Sequence, residues 1–165
     1  MKRLNRILLV EDSMRDAELI LAAFRSNHLM NEITHLRDGA EALDYLFRRG
    51  AFAGRVDAQP ALLLLDLKLP KVDGLEVLRQ IKGDADLRVL PVVMMTSSRQ
   101  EKDLVRSYEL GVNAYVVKPM KFDDFVNAVQ QVHSFWAVIN EVPGQLDEGE
   151  VIAPANPPRP DGSAE

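Results

Sequence analysis

Short, wholly apolar runs recur along this chain and break off at polar residues, and between them lie stretches with helical spacing. Residues 7–10 (ILLV), 61–65 (ALLLL), 92–95 (VVMM) and 114–117 (AYVV) are such runs, and 32–36 is a weaker one resting on Ile33 and Leu36. Four to five apolar residues without alternation describe a strand buried on both faces. The intervening segments read as amphipathic helices. Residues 13–27 carry Ala17, Ile20, Leu21 and Phe24, and residues 39–47 carry Ala40, Leu43, Tyr45, Leu46 and Phe47. Residues 75–82 and 101–110 follow the same rule, and 122–138 forms a longer helix with Phe125, Val126, Val129 and Val132 on one side. Strand and helix thus alternate five times. That order predicts an α/β fold: a doubly wound, five-stranded parallel sheet with helices on both faces. In such a fold the site forms beyond the carboxyl ends of the strands, where strand order reverses.

Two segments are irregular. Residues 48–60 make a long connection containing Gly50, Gly54 and Pro60. Residues 141–165 hold Pro143, Pro154, Pro157, Pro158 and Pro160, five of the nine prolines, and read as a disordered tail behind one folded domain at 1–140. No internal repeat is visible. With 165 residues, 47% hydrophobic and 27% charged, the chain has the composition of one globular domain. The absence of cysteine excludes disulfides and thiolate chemistry. A net charge of -5 argues against a nucleic-acid partner. No stretch approaches the roughly 20 apolar residues of a membrane span. The basic start, Met-Lys-Arg, precedes an apolar run too short for a signal peptide, so the expected location is cytoplasmic.

The residues that follow the strands carry the chemistry. Glu11 and Asp12 follow the first, Asp66 the third, Thr96 and Ser97 the fourth, and Lys118 and Pro119 the fifth. Singly, each has a bland explanation: Asp12 or Ser13 as a helix cap, Asp66 as a turn residue, Thr96 or Ser97 as a cap, Lys118 as a solvated lysine. Jointly they place carboxylates, a hydroxyl and an amine at one end of one sheet. Clustered carboxylates resist ionisation unless a positive charge sits among them. A hard divalent cation such as magnesium meets that need with oxygen ligands, and Glu11, Asp12 and Asp66 suit it. The calcium-loop pattern D-x-[DN]-x-[DN]-G is absent. A carboxylate beside such a cation can act as nucleophile and become an acyl phosphate. Lys118 would neutralise phosphoryl oxygens and Thr96 would donate its hydroxyl to one of them. The added group, with a charge of about -1.5 to -2, would then reorganise the nearby loops.

These residues resemble the receiver domain of two-component response regulators. The likeness is carried by ILLVEDS at 7–13, LLLLDLKLPKVDGLEVLRQIK at 62–82, PVVMMTSS at 91–98 and GVNAYVVKP at 111–119, and covers about residues 5–138. It implies the flavodoxin-like receiver fold and roles for individual residues. Asp66 matches the phosphorylated aspartate. Glu11 and Asp12 match the acid pair, with Asp12 favoured as the direct magnesium ligand, and the backbone carbonyl of Lys68 matches a further ligand. Thr96 matches the switch hydroxyl, Tyr115 the switch aromatic and Lys118 the phosphate-binding lysine; Tyr115 could also be plain core. Pro119 matches a proline whose preceding peptide bond is commonly cis. Ser97 replaces a smaller alanine or glycine, and Lys68 and Ser98 occupy variable positions that influence dephosphorylation. The family is not enzymatic toward other substrates; it catalyses only its own phosphorylation and dephosphorylation, and its phosphodonor is a sensor histidine kinase.

A narrower likeness lies in RRGAFAGRVDAQP at 48–60, LKLPKVDG at 67–74 and HSFWAVINEVP at 133–143. These segments are similar to stand-alone regulators paired with bacterial phytochrome kinases. Such relatives form homodimers through the face of the fourth helix, fifth strand and fifth helix. Phe135 and Trp136 either extend that face or cover the chain's own core. With no output domain, a signal would leave by partner binding, dimerisation or onward phosphorelay. Competing functions lack their motifs. A phosphatase using an aspartyl phosphate would show D-x-D, but Asp66 is followed by Leu67 and Lys68. Nucleotide or flavin domains would show G-x-G-x-x-G or G-x-x-x-x-G-K-[ST], and neither occurs. A scaffold with a dead phosphosite is disfavoured by the intact residue set. His28, His35 and His133 show no metal-ligand spacing, and Met94 and Met95 read as core.

Overall fold

A computed structural model describes residues 6–26, 32–119 and 121–139. The tail expected at 141–165 and His28 lie outside the described residues. In chain order the elements are β1 (Ile7–Val10), α1 (Met14–Ser26), β2 (Ile33–Leu36), α2 (Gly39–Leu46), β3 (Leu62–Leu65), α3 (Gly74–Gly83), β4 (Val92–Thr96), α4 (Glu101–Glu109), β5 (Ala114–Val117) and α5 (Phe122–Val132). The sheet is parallel throughout, in the order β2-β1-β3-β4-β5. Strand order reverses between β1 and β3, which makes the fold doubly wound, as expected.

The apolar runs are explained by the two faces. Leu8, Val10, Leu63, Leu65, Val92 and Met94 meet Leu43 and Leu46 of α2 and Val77, Leu78 and Ile81 of α3. Ile7, Leu9, Leu62, Leu64, Val93 and Met95 meet Ala17, Ile20 and Phe24 of α1 and Phe125, Val129 and Val132 of α5. Successive side chains of a strand point to opposite faces, so a strand covered on both sides is apolar along its length until it nears the edge of the sheet. Each buried leucine contributes about 1.5–3 kcal/mol over its exposed state. Among the helices α4 stands apart: its only buried residue is Ser107, while Val105 and Tyr108 are exposed. Among the described residues no helix is long and apolar enough to cross a membrane.

Local chemistry fixes the helix starts. Asp38 accepts from the Glu41 amide at 2.8 Å and Asp73 from the Glu76 amide at 2.9 Å, each capping its helix. Two glycines let the loop after β3 pack closely. A Cβ on Gly39 would stand 1.8 Å from the Val72 carbonyl oxygen, and one on Gly74 2.2 Å from that of Asp66. The long connection at 48–60 is organised around Arg55. Its guanidinium lies 4.0 Å from the Tyr45 ring centroid and donates to the Tyr45 carbonyl and, at 2.7 Å, to Gln59 Oε1. Asp57 pairs with Arg6 at the start of the sheet.

The last described segment departs from the expected single helix. α5 stops at Val132, and His133–Ile139 continues as a π-helix. The wider winding begins where His133 packs edge-on against Phe24 of α1, with ring centroids 5.0 Å apart. Trp136 packs on the α1/α5 side of the core and Phe135 is exposed, so the two aromatics divide the roles left open for them. No peptide bond among the described residues is cis, so the bond before Pro119 is trans, contrary to the resemblance. The trans form is the ordinary one for X-Pro, favoured by about 0.5–1 kcal/mol.

Candidate functional site

Register brings the residues after the strands to one level. Val10 pairs with Leu65, Leu65 with Met94, and Thr96 with Val117. The ladder runs one residue past each strand: the Asp66 amide donates to the Val10 carbonyl, Glu11 to Leu36, and Lys118 to Thr96. Glu11, Asp66 and Lys118 therefore sit side by side at the carboxyl edge, all buried.

Lys118 is the hub. Its Nζ donates to Glu11 Oε2 at 2.5 Å, to Asp16 Oδ2 at 3.0 Å and to Asp66 Oδ2 at 3.3 Å. The other Glu11 oxygen accepts from the Ser13 amide at 3.0 Å, and Asp66 Oδ1 accepts from the Leu67 amide at 2.7 Å. Asp12 is exposed, yet one oxygen from each of Glu11, Asp12 and Asp66 falls within 4.8 Å of the others. This is a cluster of hard oxygen donors, exposed at Asp12, with an ammonium bound to two of its three carboxylates. Its donor set fits a divalent cation. Lys68 lies two residues beyond Asp66, with its side chain exposed.

The electrostatics follow from the crowding. Burial and the charge of Asp66 push the Glu11 carboxyl up to about 7, against the opposing pull of Lys118 and the Ser13 amide. Burial by itself would lower the Lys118 ammonium, but Asp66, Glu11 and Asp16 outweigh it and the group is raised. Glu11 has a cationic partner at 2.5 Å, so its resistance to ionisation comes from burial and from Asp66, not from a missing partner.

On the β4 side, Thr96 is fully buried and its Oγ1 accepts from the Ser98 amide at 3.2 Å. The Tyr115 hydroxyl donates to the Ser98 carbonyl at 3.1 Å while its ring packs against the core. Ser98 Oγ in turn donates to Asp103 of α4 at 2.5 Å. Burial raises the Tyr115 phenol, which stays a donor.

Two contacts were missed by sequence reasoning. Asp16 lies one helical turn beyond Asp12 in a stretch read as an ordinary helix start, and only its i+4 spacing from Asp12 hinted at a shared side. His35 Nε2 lies 2.9 Å from the Glu11 carbonyl oxygen, where it braces the β1–α1 turn. Its single position in a short strand carried no signal.

The model of the response regulator receiver domain matches residues 7–130. The chain belongs to this receiver family. It is 46% identical over 138 residues to the probable methanogenesis regulatory protein FilR2 of Methanothrix harundinacea, covering 84% of this chain and 87% of that one. It is 43% identical over 130 residues to response regulator Rcp1 of Synechocystis, covering 79% and 87%. The crystal structure of Mn(2+)-bound Rcp1 superposes with a TM-score of 0.79, at 41% identity, over 84% of this chain and 99% of that one. The bacteriophytochrome response regulator AtBRR gives 59% identity and a TM-score of 0.67, over 84% and 99%. This receiver is thus a two-component response regulator, related to phytochrome-associated regulators, and its family acts as phosphoacceptor for sensor histidine kinases and binds divalent metal.

Proposed function

We propose that Asp66 is the phosphoacceptor and that Lys118, Thr96 and the acid pair serve its phosphorylation. The observation that carries this is the Lys118 ammonium within 3.3 Å of Asp66 Oδ2, at the Glu11–Asp12–Asp66 oxygen cluster. An Asp66 carboxylate oxygen attacks the phosphorus of a kinase phosphohistidine; the O–P bond forms, the P–N bond breaks and the imidazole leaves. Lys118 neutralises a phosphoryl oxygen and holds the group in place. The Thr96 hydroxyl turns from the Ser98 amide to donate to the phosphoryl group, and Tyr115 follows the displaced loop. Glu11, Asp12, Asp66 and the Lys68 carbonyl would hold a magnesium ion, which would supply the charge neutralisation that phosphoryl transfer needs. The chain turns over no other substrate; it catalyses only its own phosphorylation and dephosphorylation.

The proposed donor is a bacterial phytochrome kinase, on the strength of the likeness to Rcp1 and AtBRR. A kinase that draws on ATP places the exchange in the cytoplasm. The proposed output is a homodimer through α4, β5 and α5, supported by exposed Val105, Tyr108, Phe122 and Phe135 on those elements and the π-helical extension. The test is incubation with acetyl phosphate and magnesium. Wild type gains an acid-stable, hydroxylamine-labile phosphoryl group and Asp66→Asn does not; equal labelling of both proteins refutes the assignment.

A further inference from the structure

We propose that Asp16 is a positioning residue that keeps the Lys118 ammonium over the reacting oxygen while the other acids are engaged. An ammonium has three N–H donors, and each carboxylate that Lys118 touches can take one. Two of the three acceptors have other duties. Glu11 and Asp66 belong to the set of oxygens able to hold a cation, and Asp66 is also the atom donor for the acyl phosphate. Asp16 belongs to neither group. When the oxygens of Glu11 and Asp66 are drawn to a cation and a phosphoryl group, Asp16 is the acceptor left to Lys118. Two N–H groups are then free to meet phosphoryl oxygens.

The bland account of Asp16 is a helix cap, and the hydrogen bonds argue against it. Ser13 begins α1: its hydroxyl accepts from the Asp16 amide at 3.3 Å. In a capping box the acid at this position reaches back to the amide of the capping residue. Here the Ser13 amide is already taken by Glu11 Oε1, and the Asp16 carboxylate points instead to Lys118 across 102 residues of sequence. Asp16 is also the least buried of the three partners, its side chain 29% exposed against 1% for Glu11 and 10% for Asp66.

This inference rests on the phosphoacceptor reading, and its test separates the two. Phosphorylation of the full chain by acetyl phosphate is followed by intact mass at a series of magnesium concentrations. Magnesium affinity of the unphosphorylated protein is measured by calorimetry and folding by thermal melting. Asp16→Asn is expected to lower the maximal rate at saturating magnesium about tenfold, the worth of one charge-assisted hydrogen bond in the transition state. Its magnesium affinity and melting temperature should stay near those of wild type. Asp16→Glu, which keeps the charge, should regain part of the rate. An unchanged maximal rate overturns the proposal. So does a loss confined to magnesium affinity, which would make Asp16 an aid to the cation, and so does a rate in Asp16→Glu no better than in Asp16→Asn. A wild type that takes no label refutes the role of Asp66 itself, and this one with it.

Discussion

The amine of Lys118 lies 2.5 Å from Glu11 Oε2, although 107 residues separate the two in the chain. Both are buried, and the pair joins the end of β1 to the end of β5 across β3 and β4. The contact closes the acidic edge of the sheet with a single positive charge, and several consequences can be measured.

Removing that charge strands the carboxylates. Lys118→Met leaves Glu11 and Asp66 buried without their cation, and breaking a buried pair costs about 3–5 kcal/mol when the remaining charge cannot be neutralised. Glu11 can take up a proton, which softens the loss at low pH. Urea unfolding of Lys118→Met is therefore expected to show the deficit at pH 8 and little of it at pH 5. A deficit independent of pH would mean that packing, not charge, sets the cost.

Cation binding should release a proton. In the metal-free protein burial and Asp66 push Glu11 up to about 7, and a bound cation requires it ionised. Magnesium affinity is then expected to rise with pH up to about 7 and to level off above it. Calorimetry in buffers of different ionisation enthalpy detects the released proton. The same shift acts on folding. The folded value lies above the ordinary 4.5, so its contribution is fully present below 4.5 and is lost as pH rises through 7. Added magnesium should flatten that decline.

Thr96 should separate chemistry from signal. Its hydroxyl touches the Ser98 amide, and Ser98 in turn holds Tyr115 and Asp103 of α4. Thr96→Ala is expected to accept label from acetyl phosphate yet to lose any phosphorylation-dependent change in dimerisation, read by light scattering at several concentrations. Coupling equal to that of wild type would remove Thr96 from the switch.

Gly74 is expected to tolerate no side chain. A methyl group there would meet the Asp66 carbonyl oxygen at 2.2 Å, a backbone atom that cannot swing away. Gly74→Ala should cost about 3 kcal/mol in urea unfolding, the upper range for overpacking, and should slow labelling because the clash bears on Asp66. Gly83→Ala, with open space around its Cβ position, is the control.

The succession of elements was legible in the sequence for a simple reason. A strand covered on both faces is apolar until it nears the edge of the sheet, so β1, β3 and β4 appear as bare apolar runs, and the first polar residue marks where each reaches that edge. Glu11, Asp66 and Lys118 follow those runs directly, and the register of a parallel sheet brings them level. Boundaries were less legible. Thr96 belongs to β4 because its backbone still pairs with Val117, and the change to π winding at His133 falls where its ring meets Phe24 of α1.

By itself the sequence determined the parallel α/β plan and the residues that would stand at its carboxyl edge, because both follow from burial pattern and chain order. Only the tertiary structure decided that Asp16 faces Lys118, that His35 braces Glu11 and that Tyr115 reaches Ser98. Those contacts span 102, 24 and 17 residues, and each depends on the direction of one side chain once helix and strand are packed together. Spacing along a chain encodes faces, while the meeting of two faces is set by how the layers close.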